Sequence, residues 1–171
     1  MFQRTLLAGG PHPAQRDALM TFGRFVGSWD MRVQFFDEAG ELMWDGPAEW
    51  SFSWVLDGRA VQDVLVFPAV DGSLEPGKRG IGSTLRYLDP TTQTWRIVFV
   101  GAVSGTFITL TGRRSGDEIV LEGEDVDGSP LRWVFTDISA DAFHWKGFIS
   151  DDGGGSWRME QEMLACRRSV R

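Results

Sequence analysis

The sequence predicts an all-β fold: one domain over residues 1–171, built of roughly ten antiparallel strands in up-and-down order. The strands are expected to close into a barrel, with a short N-terminal helix across one end. Three observations carry this. Segments of apolar–polar alternation recur along the chain, and a period of two marks a strand with one dry and one wet face. Turn signals separate these segments at short intervals. The composition, with 21 Gly, eight Trp and twelve Phe against a single Tyr, fits many short strands around an aromatic interior. Closure removes the two unpaired edges that an open meander would leave.

Taken in order, residues 1–12 read as a flexible tail. Pro13 suits a helix start, and Pro13–Phe25 carries Ala18, Leu19, Phe22 and Phe25 at helical spacing. A helix this short needs a surface for its apolar stripe, and the end of a barrel supplies one. Trp29, Met31, Val33 and Phe35 then alternate with Asp30, Arg32 and Gln34 as the first strand. Asp37-Glu-Ala-Gly40 turns the chain. Ala48, Trp50, Phe52, Trp54 and Leu56 alternate with Glu49, Ser51 and Ser53, the cleanest strand pattern present. Asp57-Gly58 is a strong hairpin signal, and Ala60–Phe67 is the return strand. Pro68–Gly82 exceeds the usual connection length and is expected to border the mouth of any cavity. Further strands are expected at Ser83–Leu88, Thr94–Gly101, Gly105–Gly112, Glu118–Glu124, Leu131–Ile138, Ala142–Ser150 and Trp157–Arg168.

Several function classes are disfavoured. A net charge of −7 with no basic cluster argues against nucleic acid and against an anionic membrane surface. Cys166 is the only cysteine, so no intramolecular disulfide can form, and a reduced cytoplasmic protein is expected. The first residues hold too short an apolar run for a secretory signal, and no segment approaches the ~18 apolar residues of a membrane span. Arg167 and Arg168 beside Cys166 could activate the thiol, but no histidine is near in sequence. Gly80-Ile-Gly82 precedes a strand, not a helix, so it is no dinucleotide fingerprint. Ser150-Asp-Asp-Gly-Gly-Gly-Ser-Trp157 matches the Asp-box pattern and reads as a structural hairpin, with too few oxygens for calcium. Neither a metal nor another cofactor is expected, and oligomeric state stays open.

The aromatic residues are the first site candidates. Trp50, Phe52, Trp54, Trp95, Trp133 and Phe135 share the apolar side of their strands, where they either fill a core or line a cavity for one small ligand. The polar candidates are Gln62 and Asp63. A two- or four-residue loop at Asp57-Gly58 pairs Phe52 with Asp63 and turns Asp63 inward, because cross-strand partners share a face. A three-residue loop shifts the pairing by one and brings Gln62 inside instead. An inward Asp63 is expected to be either protonated or paired with Arg59 or Arg86. His144 is the only histidine in an expected strand.

The first functional expectation is binding of a small, mainly apolar or aromatic molecule by Trp50, Phe52, Trp54, Trp95 and Trp133. Gln62, Asp63, Arg86, Tyr87 and His144 would orient it. The alternative is an isomerase- or cyclase-type enzyme using Asp63 or His144 as acid or base. A haem protein with His144 as iron ligand is the third.

Five motifs also carry a resemblance. They are Phe25-x-Gly27-x-Trp29, Trp54-Val-Leu-Asp-Gly-Arg59, Tyr87-Leu-Asp-Pro90 followed by Trp95, Phe143-x-Trp145, and the Ser150–Trp157 segment. Together they make the chain similar to an uncharacterised bacterial family of lipocalin-like (calycin-type) β-barrels. The resemblance implies a fold and no activity. In such barrels a late arginine packs over the opening tryptophan, which places Arg167, or Arg168 if a bulge shifts the parity, over Trp29. Haem-binding nitrobindins share the architecture, but their Gly-x-Trp-x-Gly-x-Gly opening is missing here.

Overall fold

The computed structural model describes residues 6–67 and 80–169. A 3-10 turn at Pro13–Gln15 leads into helix α1 (Arg16–Gly23). Ten strands follow: β1 (Gly27–Phe36), β2 (Leu42–Val55), β3 (Ala60–Phe67), β4 (Gly80–Leu88) and β5 (Trp95–Gly101) form the first half. The second half is β6 (Thr106–Ser115), β7 (Glu118–Glu124), β8 (Pro130–Thr136), β9 (Ala142–Ile149) and β10 (Arg158–Arg167). Each strand lies antiparallel to its sequence neighbours, and β10 pairs with β1 to close the barrel. The expected all-β, up-and-down barrel with one short helix is the fold observed.

Helix α1 plugs one end. Leu19 and Phe22 are fully buried beneath it, and the Phe22 ring meets Trp95 edge-on at 4.7 Å. The helix stops at Gly23, where a Cβ would fall 2.3 Å from the Trp54 ring; the helix end can rest on that indole only without a side chain. The expected tail is tied down at two points, as Ala8 N–H donates to Trp54 O (2.9 Å) and His12 N–H to Gly58 O (3.0 Å).

The closed end is latched by Trp29 and Arg167. Trp29 Nε1 donates to Phe25 O at 2.8 Å, and the Arg167 guanidinium lies 4.1 Å over the indole, the cation–π contact expected from sequence. Arg167 also donates from Nη1 to Val26 O (2.9 Å), from Nη2 to Arg24 O (2.8 Å) and from Nε to Ala140 O (2.6 Å). One side chain thus ties the last strand to the helix–β1 link and to the β8–β9 turn. Arg168 points elsewhere, donating from Nε to Asp30 at 3.0 Å.

The β2–β3 loop spans residues 56–59, between the paired Val55 and Ala60. Leu56, Asp57 and Gly58 all have positive φ. The resulting register pairs Trp54 with Val61, Phe52 with Asp63 and Trp50 with Leu65. Gln62 is exposed and Asp63 is buried, which removes Gln62 from the candidate site.

In β10 the expected single alternation from Trp157 to Arg167 breaks. Register shifts between Met159 and Gln161, so Glu160 is a bulge residue. Gln161, Met163 and Ala165 keep the inward phase of Arg167, whereas Trp157 lies outside under the Arg132 guanidinium (4.1 Å). Of the long loop expected at Pro68–Gly82, residues 68–79 lie outside the described residues, together with its expected position at the cavity mouth; residues 80–82 belong to β4. The Ser150–Trp157 segment forms the expected hairpin. Ser150 Oγ donates to Asp152 Oδ1 (2.8 Å), and Ser156 donates to Asp152 from both N (2.8 Å) and Oγ (2.7 Å). Hydrogen bonds from Ser156, then Ser150, hold the Asp152 carboxyl well below its usual range.

Trp29 is fully buried, and its loss leaves a cavity beneath Arg167. Trp29→Ala is expected to lower unfolding free energy by about 3–5 kcal/mol in urea titration; a wild-type midpoint would show that the latch does not hold the fold.

Candidate functional site

The barrel interior has two unlike halves. Towards the helix-plugged end it is solid with rings: Phe25 lies 4.9 Å from Phe135 and 4.8 Å from Phe143, and Trp29 lies 4.7 Å from Phe143. Towards the opposite end there is a cavity of about 200 Å³. Trp50, Phe99, Trp133 and Trp145 form its aromatic wall, with Leu65 and Leu131 between them. Trp133 and Trp145 are 5.5 Å apart, and Phe99 meets Trp133 edge-on at 5.6 Å.

Asp63 and Arg86 form the boundary between the halves. Alternation along β3 and β4 turns both inward, and their side chains are 2% and 1% exposed. Arg86 Nη1 donates to Asp63 Oδ2, while Thr84 N–H donates to Asp63 Oδ1 at 3.0 Å. The guanidinium lies 5.3 Å from the Phe22 ring centroid, 5.5 Å from Phe52 and 5.8 Å from Phe135. Arg86 is therefore the partner that the sequence left open between Arg59 and Arg86; Arg59 is on the surface with Asp57 and His12. Both Asp63 oxygens thus accept hydrogen bonds, so of the two expected states it is the paired one that is observed.

Two donors of cavity-lining side chains are left over. Trp50 Nε1–H and Arg86 Nε–H are buried with no hydrogen-bond partner among the described residues. An unpaired buried donor carries a desolvation penalty, and neither N–H is exposed on the cavity wall.

The mouth is acidic. Asp125, at the end of β7, and Glu160, in the β10 bulge, line the cavity with Gln161. Asp125 Oδ1 also accepts from Val126 N–H (2.8 Å). Burial first, then the charge of Asp125, pushes the Glu160 carboxyl above its ordinary range. The nearby Arg158 is held by Asp151, with Nε to Oδ2 at 2.6 Å.

The structure brings together some expected site residues and disperses others. Trp50, Asp63, Arg86 and Trp133 line the cavity. Phe52 lies one layer below, against Arg86 and Trp50. Trp54 and Trp95 point inward but pack under helix α1, because the plug fills that end. Tyr87 is 40% exposed, since its neighbour Arg86 takes the inward position. His144 falls between the buried Phe143 and Trp145 and so faces outward; its Nε2 is 2.7 Å from Glu162 Oε1 and its Nδ1 3.7 Å from Asp137 Oδ2. It is not among the residues that line the cavity. Glu160 and Asp125 were missed. Alternation gives no sign of a one-residue bulge, and Asp125 reads as a turn residue.

These features define a ten-stranded lipocalin-like barrel, filled at the plugged end and hollow at the other. Two solved structures share that fold. Rv2717c from M. tuberculosis superposes with a TM-score of 0.64 and 16% identity, covering 93% of this chain and 99% of that one. The S-type phycobiliprotein lyase CPES from Guillardia theta gives 0.60 and 14%, covering 89% and 93%. At these identities the likeness is one of fold. No protein-family model and no curated protein matches the chain.

Two outcomes follow from the charged groups. Asp63→Asn is expected to leave a buried guanidinium unpaired and destabilise by about 3–5 kcal/mol in denaturant titration. The double replacement Asp63→Leu, Arg86→Met should recover most of that; a mild single-mutant effect would show the pair is well solvated. For Glu160, a carboxyl raised in the folded state contributes stability below its unfolded value, and that contribution is lost as pH rises through the folded value. Glu160→Gln should therefore raise Tm at neutral pH, with the gain vanishing in acid. A difference independent of pH in thermal melts would contradict this.

Proposed function

We propose that this protein binds a small, mainly aromatic molecule in the hollow end of its barrel. The observation that carries the reading is the cavity itself: about 200 Å³, walled by aromatic side chains and floored by a buried ion pair. An apolar cavity of roughly 150 Å³ is enough to take up benzene, so the space suits one ring with a short substituent. Concave, mainly apolar sites with few polar groups are the usual form of small-molecule sites. Acid–base catalysis is the weaker reading, because Asp63 is fully engaged and His144 faces outward. The single Cys166, which leaves no intramolecular disulfide to form, suits a reducing, cytoplasmic setting. Among the described residues no helix is long and apolar enough to cross a membrane.

Titration calorimetry with 4-ethylphenol tests the reading. Saturable one-to-one binding is expected, and Ile108→Trp, which fills the cavity from its wall, should abolish it while the barrel stays folded. Ligand at about 100 times Kd should raise stability by about 2.7 kcal/mol. Undiminished binding by a folded Ile108→Trp variant, or no binding by the wild type, would overturn the assignment.

A further inference from the structure

We infer that the outer wall formed by β3, β4, β5 and β6 is the contact face of a dimer, and that its occupant is the same wall of a second copy of this chain. The inference is independent of what the cavity holds.

The strands themselves carry the first sign. A strand with one wet face alternates, whereas one covered on both faces reads as a near-continuous apolar run. Val64-Leu-Val-Phe67 on β3 and Ile97-Val-Phe-Val100 on β5 are runs of the second kind. Leu65 and Ile97 are buried in the core, which leaves Val64, Val66, Val98 and Val100 on the outside. Pairing sets these side chains in rows across the wall. Val64, Ser83, Val100 and Phe107 lie side by side, and so do Gln62, Leu85, Val98 and Thr109.

No charged side chain stands in either row. Charges begin only at the border, with Glu49 beside Val66 on β2 and with Arg96, which is paired to Asp89 at 3.8 Å. Elsewhere the barrel exterior carries ion pairs across its strands, as in Arg32–Asp45 and in Arg113–Glu122–Arg132. The β3–β6 wall is therefore unlike the rest of the surface.

Its area suits an interface. Phe107 is 63% exposed, Val100 43%, Val64 42% and Ile81 37%. With the half-buried Leu85 and Val98 they leave roughly 400 Å² of apolar surface to water, a contiguous patch of the size that is often functional. Two such faces supply roughly 800 Å² of apolar core, and the uncharged rim of Gln62, Ser83, Thr109 and Thr111 supplies the rest of the ~1,200 Å² at which specific interfaces begin.

Charge identifies the partner. A partner selected by charge needs charges to meet, and these rows hold none. Each chain carries a net charge of −7, so two copies repel where charged walls face each other and approach closely only where charge is missing. An uncharged apolar wall complements itself across a two-fold axis, the commonest arrangement of like chains. Sheets pack face to face through interdigitated side chains, which the valines and Ile81 provide.

Sedimentation equilibrium of the whole chain at about 50 μM tests this, a concentration at which an interface of this size assembles. Twice the mass of one chain is expected. Val100 stands near the middle of the wall, so Val100→Glu and Val100→Lys should each weaken association at least about tenfold while near-UV circular dichroism stays that of the wild type. An equimolar mixture of the two should recover the dimer, because a like-charge contact becomes an opposite-charge one. Phe107→Glu should also dissociate the dimer, and it decides the matter if the Val100 variants lose their fold. Leu164→Lys, on β10 across the barrel and just as exposed at 43%, should leave the dimer intact. A monomeric wild type overturns the inference; if that monomer cosediments with neutral phosphatidylcholine vesicles, the face belongs to a lipid surface. A dimer that survives the substitutions at both Val100 and Phe107 has its interface elsewhere, which also overturns it. A mixture of Val100→Glu and Val100→Lys that stays monomeric overturns the two-fold contact.

Discussion

One buried interaction, the Asp63–Arg86 pair, divides the barrel interior, and neither partner can be lost alone. Removing two charges from water is expensive, and their attraction offsets that cost only where further contacts satisfy the remaining groups. Here Thr84 N–H takes the second carboxylate oxygen, and three phenylalanine rings surround the guanidinium. Those rings come from helix α1, β2 and β8, so the charge organises elements far apart in the chain. Beneath the pair the interior is continuous with the aromatic packing of the plugged end. Above it lies the cavity, with an aromatic wall and carboxyl groups at its mouth. An aliphatic pair at these positions would pack as well, without the desolvation cost of two charges.

Much of this architecture is written in the alternation of the strands. The direction of Asp63 hung on loop length: two- and four-residue loops give the same inward pairing, and a three-residue loop brings Gln62 inside instead. The structure has the four-residue loop, and Asp63 is the residue inside. Parity also contained information against two candidates. Tyr87 follows the inward Arg86, and His144 lies between Phe143 and Trp145, so neither could share the interior with its neighbours.

What alternation cannot convey is depth. Trp50 and Trp54 have the same phase on the same strand, but only Trp50 reaches the cavity, because the helix fills the end where Trp54 sits. Whether an inward ring is packing or lining depends on what plugs the barrel, and that is a tertiary fact. Trp95 illustrates the same point, meeting Phe22 of the helix where a ligand contact was expected. The mouth was least readable, since Glu160 owes its position to a local irregularity with no compositional signature.

That irregularity has a consequence for how the molecule can change over generations. On the Arg167 side of Glu160, β10 keeps the phase that latches the closed end; on the other side its faces are exchanged. The two stretches are mechanically continuous but uncoupled in what they present. Gain or loss of a single residue at the bulge would exchange the side chains that face the cavity mouth, while the hydrogen bonds around Trp29 and Arg167 stayed as they are. Cavity lining and barrel closure can therefore change separately along one strand.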